Sequence, residues 1–169
     1  MRKVVYILVA CGLVLLAFSA SASAASKARP FHGYVVGAVS FTYDPASPSE
    51  VDFWTDSYAV GDVSHLGATV MTARHPTPVT DYINDGTMTM VAANGDEVTI
   101  TYDGFLPFPV VGKPYTLVVD LDFTIVGGSG RFANASGGGD MTGYVEFPGV
   151  IPHPGPWPAY FVWSATISY

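Results

Sequence analysis

Fourteen carboxylates, seven cations and four histidines are the groups in this 169-residue chain most able to do chemistry. Asp120 and Asp122 stand two apart, so in an extended strand they share a face. Paired carboxylates can trade a proton or bind Ca²⁺ through their oxygens. Asp52 and Asp56 also share a face with each other. Strict alternation gives a plainer reading of both pairs, as the solvated side of a half-buried strand. The histidines are His32, His65, His75 and His153. A metal site needs two or three ligands at short, face-compatible spacing. His65 and His75 would share a face, but ten extended residues put them roughly 33 Å apart. No metal is expected. Serine, histidine and aspartate are all present without a Gly-x-Ser-x-Gly elbow, so a hydrolase triad has no motif behind it. Gly127-Gly-Ser-Gly130 would cradle phosphate only if a helix opened after it, and Arg131 to Gly139 opens none. No cofactor is implied.

The candidate ligand-binding residues are Arg131, Phe132, His65, Trp157, Phe105 and Phe108. Arg131 sits beside Phe132 at a strand end, where a guanidinium could take a carboxylate or other anion. The competing and favoured expectation is that it pairs with a nearby carboxylate such as Asp140 and pins the corner. His65, within Ser64-His-Leu-Gly67, is expected to hydrogen-bond a neighbouring turn. Phe105, Leu106, Phe108 and the Pro148–Pro158 segment with Trp157 would form apolar rims if they are loops. Such rims suit capture of a lipophilic small molecule or contact with a partner. Equally, they could fold inward and plug the structure.

Extended elements must position these groups. Leu117, Val119, Leu121, Phe123 and Ile125 alternate with Val118, Asp120, Asp122 and Thr124, a strand running from Leu117 to Val126 into the glycine-dense stretch Gly127–Gly137. Seven further strands are read: Gly33–Tyr43, Val51–Val60, His65–His75, Gly86–Ala93, Asp96–Tyr102, Asp140–Phe147 and Tyr160–Tyr169. Gly61-Asp62 and Asn94-Gly95 are read as turns, the latter the strongest short hairpin signal. Pro76-Thr-Pro78 breaks the third strand, because proline cannot donate into a ladder. Eight strands, no convincing helix and hairpin-length links predict an all-β fold, an eight-stranded antiparallel up-and-down barrel. Such a barrel is either packed solid or wide enough for one small ligand.

Met1-Arg-Lys3, the apolar run Val4–Phe18 and the small residues Ser19–Ala25 read as a secretory signal peptide, residues 1–25, leaving one domain over 26–169. The chain's one cysteine, Cys11, would leave with it, so neither a disulfide nor a thiol nucleophile is expected. Removing Arg2 and Lys3 from the seven cations leaves five against fourteen carboxylates, a formal charge of −9. That argues against nucleic acid and anionic membrane surfaces. The expected location is secreted or periplasmic. A rival reading comes from Phe161, Trp163, Ala165, Ile167 and Tyr169, which alternate to an aromatic terminus as in a small outer-membrane barrel. Short loops and abundant proline speak against membrane insertion.

Gly127-Gly-Ser-Gly-Arg-Phe-Ala-Asn-Ala-Ser-Gly137 resembles the glycine-rich turn of the allene oxide cyclase and dirigent-type barrels, above all their secreted bacterial relatives. Ser64-His-Leu-Gly67 is similar to a second motif of that group, and the Asn94-Gly-Asp-Glu97 hairpin to a comparable turn. The resemblance covers about Gly33 to Tyr169 and implies the barrel, and association of barrels through their walls as a possible homo-oligomer. The catalytic carboxylate and cysteine of the plant enzymes find no counterpart. The function expected is therefore a non-catalytic module that binds a small lipophilic ligand or serves a structural extracellular role. The alternative is a cofactor-independent cyclase or isomerase folding a lipophilic substrate inside the barrel.

Overall fold

A computed structural model describes residues 27–49, 52–78, 81–106, 116–146 and 155–169. Eight strands, β1 (Arg29–Tyr43), β2 (Phe53–Val63), β3 (Gly67–Pro76), β4 (Tyr82–Ala92), β5 (Glu97–Phe105), β6 (Thr116–Gly128), β7 (Ser136–Glu146) and β8 (Trp157–Ser168), follow one another around a closed barrel. Every neighbouring pair is antiparallel, and β1 closes the ring on β8 from Arg29↔Ile167 to Val39↔Trp157. The up-and-down barrel expected from strand count and link length is the fold.

Alternation decides what fills it. Phe31, Val35, Val39, Ala59, Met71, Met88, Met90, Val98, Ile100, Leu121, Phe123, Met141, Phe161, Trp163 and Ile167 belong to one buried cluster fed by all eight strands. Eight strands enclose a space that side chains can just fill. The large rings are accommodated by glycine on the facing strand. Trp163 lies opposite Gly33, Phe161 opposite Gly143 and Tyr102 opposite Gly86. A Cβ added at these glycines would lie 2.2, 2.7 and 2.3 Å from the respective ring. Each aromatic occupies volume its partner does not use, the small-against-large arrangement a narrow barrel requires.

Several boundaries differ from those the sequence suggests, for identifiable reasons. Gly61 and Asp62 continue β2, pairing with Val35 and Tyr34. The turn comes later, at Ser64–Leu66, with His65 itself in the left-handed region at φ 70°. His65 therefore stands in a turn and not on the third strand. Phe105 ends β5, and β4 begins at Tyr82 with a register shift between Ile83 and Gly86. Strand β8 begins at Trp157, whose side chain is buried in the core. Pro158 is tolerated because it is the second residue of that strand.

Candidate functional site

The turns divide between two ends of the barrel, and the expected site residues divide with them. At one end, the β6–β7 corner contains a single 3-10 turn, Gly130–Phe132, and Phe132 is wholly buried. The Phe132 ring packs edge-on against Tyr169, with 4.8 Å between centroids. Arg131 donates from Nη2 to the His65 backbone carbonyl and lies 3.3 Å from the Asp96 carboxylate through Nε. The His65 ring Nε2 is 2.8 Å from the carbonyl of Pro30, and its Nδ1 lies 3.4 Å from the Tyr169 hydroxyl. Arg29 donates to that hydroxyl at 2.9 Å. Thus Arg131 fastens the β6–β7 corner to the β2–β3 and β4–β5 turns over an aromatic plug.

The sequence had suggested Asp140 as the partner that would occupy Arg131. The partner is Asp96. Asp140 lies on the outer wall of β7, opposite Asp122 of β6. The His65 ring hydrogen-bonds the start of strand β1 rather than a neighbouring turn.

The other end gathers β1 and β3 at their finish and β2, β4 and β8 at their start. Here Trp157 is buried, in contrast to the loop position expected of it, and Phe41 packs edge-on against it at 4.7 Å. Phe105 is exposed and packs against Tyr82 at 4.9 Å. Phe108 and His153 lie outside the described residues, as does the expected signal segment 1–25. Arg131, Phe132 and His65 are consequently at the opposite end from Trp157 and Phe105, and the six candidates do not converge on one pocket.

A polar group that sequence reasoning missed lies inside this second end. His75 of β3 and Tyr102 of β5 both point inward, and His75 Nδ1 is 2.8 Å from the Tyr102 hydroxyl. The strands are not neighbours, since β4 runs between them. Gly86 of β4 allows the contact: it pairs with Tyr102 and stands one step beyond the Arg74↔Thr87 pair, opposite His75. A Cβ there would lie 2.3 Å from the Tyr102 ring. Beside them, Thr55 and Thr77 share a buried hydroxyl–hydroxyl bond of 3.1 Å. Burial pulls the His75 pKa down to about 4, with the Asp56 charge opposing, and pushes that of Tyr102 up. Both groups are neutral near pH 7, an imidazole and a phenol in an apolar setting. A mid-strand glycine among inward methionines was the available signal.

The paired aspartates are on the outside. Asp103, Asp122 and Asp140 form one cross-strand row on β5, β6 and β7, and Asp120 accepts a hydrogen bond from Thr142 at 3.1 Å. A hydrogen bond with Asp140, then partial desolvation and the charges of Asp140 and Asp103, raise the Asp122 pKa. Asp56 accepts from Thr42 and faces Arg74 at 3.7 Å. Among the described residues no group of three histidine, cysteine or acidic side chains is placed to hold a metal ion.

No family model, curated protein or solved structure matches the chain.

Proposed function

We propose that the protein is a non-catalytic β-barrel module that works outside the cytoplasm, related to the allene oxide cyclase and dirigent-type barrels, and that its role is structural. The observation that carries this reading is the crowding of the interior, where glycines on facing strands make room for Trp163, Phe161 and Tyr102. Side chains from all eight strands meet there in one buried cluster. A cyclase, by contrast, needs a shaped apolar cavity for its substrate. The corner clasp of Arg131, Asp96 and Phe132 supports the same reading, because it spends the most ligand-like cation on holding turns together.

A second reading is favoured by one specific observation, the buried His75–Tyr102 pair. Polar groups are kept inside an apolar core at a cost, and such departures concentrate at functional positions. In that reading a lipophilic molecule with a single carbonyl or hydroxyl is held at this end, and is turned over if the neutral imidazole and phenol act as base and acid.

Native mass spectrometry separates the two. The protein is purified without detergent from cells that secrete it, so that a bound molecule is retained. A clean apo mass is the expected result. A retained small molecule, lost on His75→Phe, would overturn the structural role and establish ligand binding at the His75 end.

A further inference from the structure

A hollow of about 360 Å³ lies across β2, β3 and β4, with Asp56, Thr72, Arg74, Thr87 and Thr89 among its lining residues. The ladder explains why these side chains meet. Asp56 pairs with Arg74 and Arg74 with Thr87, while two residues along β3 Thr72 pairs with Thr89. On β3 and β4 they alternate with the buried Met71, Ala73, Met88 and Met90, so they face outward. The hollow is therefore on the outer wall, separated from the interior by the sheet itself.

Its polar groups are held in place yet not used up. The Arg74 guanidinium carbon lies 4.5 Å over the Trp54 ring, and its Nε is 3.7 Å from Asp56 Oδ1. Asp56 Oδ2 accepts from the Thr42 hydroxyl at 2.5 Å. Both charged heads still reach water, the arginine 44% and the aspartate 32% exposed. Among the described residues, no group hydrogen-bonds the Nη atoms of Arg74 or the hydroxyls of Thr72 and Thr89. Thr142, elsewhere on the wall, is by contrast taken up by Asp120. Groups already fixed before a ligand arrives lose little freedom in binding it.

We infer that this hollow binds a neutral sugar, through one or two rings of a glycan. Its volume stands at the lower end of small-ligand sites. Charge decides the class of ligand. One guanidinium and one carboxylate cancel, so the hollow offers no net attraction to an ion. Fourteen carboxylates against seven cations in the whole chain repel anionic sugars further. What the site does offer is donors beside acceptors. Asp56 takes O–H protons, Arg74 gives N–H groups, and each threonine hydroxyl does both. Adjacent hydroxyls on a sugar ring need that combination, because each is donor and acceptor at once. Bonds to the two charged heads are of the stronger kind. A wholly apolar ligand would instead leave those heads unpaired beneath it, which is costly. Because the hollow is outside, the inference stands whether or not the interior holds a ligand. It goes beyond the structural role proposed above by giving the module something to hold.

An array of neutral, sialylated, sulfated and amino-sugar glycans, probed with the labelled protein as its host processes it, tests this. Binding is expected on neutral glycans. Arg74→Met, and separately Thr72→Val with Thr89→Val, should each weaken it by about tenfold or more. Ser164→Ala, on β8, should leave it unchanged. An unaltered urea midpoint in the variants assigns the loss to the hollow and not to the fold. If Arg74→Met does not fold, Asp56→Asn is read in its place. An array on which no glycan binds overturns the inference. So does binding confined to sialylated, sulfated or amino-sugar glycans, or neutral-glycan binding that survives both sets of substitutions. None of these results bears on the native mass of the protein, so this inference and the structural role fail separately.

Discussion

The described residues at the two ends of the barrel are held together by different means. At the Arg131 end the seal is made from turns: one aromatic wedge, Phe132, with a guanidinium tying three connections over it. At the His75 end the described strands contribute Trp157 and Phe41, packed edge-on, with a neutral polar pair set beneath. The clasp is half in water, where an ion pair contributes little and the wedge carries the stability. The polar pair is buried, where protonation is costly and pH becomes a lever. Similar residue types, arginine with carboxylate or histidine with tyrosine, thus acquire different work from depth alone.

Substitutions can break this contrast, beginning with the largest expected effect. Phe132→Ala removes a wholly buried ring and should cost about 3–5 kcal/mol in urea unfolding. A loss below about 1 kcal/mol would mean that the turns close without the wedge. Acid should strike the other end. His75 has a folded pKa of about 4 against 6.5 for the free side chain, so the unfolded chain takes up the proton first. Its contribution is therefore fully present above pH 6.5 and lost as pH falls toward 4. The slope is about 1.4 kcal/mol per pH unit, about 3 kcal/mol in total. Unfolding measured from pH 7.5 to 4 should show that slope in wild type and a flatter one in His75→Gln.

Gly86→Ala would place a Cβ 2.3 Å from the Tyr102 ring. We expect a loss of about 1–3 kcal/mol, with the acid sensitivity reduced as Tyr102 is pushed from His75. An unchanged pH profile would show that the pair does not depend on that glycine. The smallest effect belongs to Arg131→Met. Its head is half exposed, so about 1 kcal/mol or less is expected. A larger loss would move the clasp into the same class as the wedge.

The barrel was legible because alternation is a local property: Leu117 to Ile125 state their inward face within nine residues. The outward placement of Asp120 and Asp122 follows from the same pattern. Failures came where a local signal was outweighed by its neighbours in space. Gly61-Asp62 looks like a turn, yet Gly61 sits in a ladder whose facing backbone leaves no room for a side chain. Pro158 made Trp157 look like loop, yet the alternation of Trp157, Ala159, Phe161 and Trp163 begins there. The Arg131–Asp96 pair is not legible along the chain, because Asp96 is near only once β4–β5 and β6–β7 are folded. The His75–Tyr102 contact joins residues on strands that are not adjacent, through a gap left by a third. No periodicity along the chain encodes that.

Ring closure also sets an order of events in time. Seven of the eight strand pairs join sequence neighbours, while the eighth joins Arg29–Val39 to Trp157–Ile167, the two extremes of the described chain. Until β8 exists, β1 and β7 each present an open edge, and open edges recruit other chains. Contacts between distant parts of a sequence also form slowly. The barrel therefore cannot be completed while its last strand is still being made, and its most aggregation-prone interval is the wait for that strand.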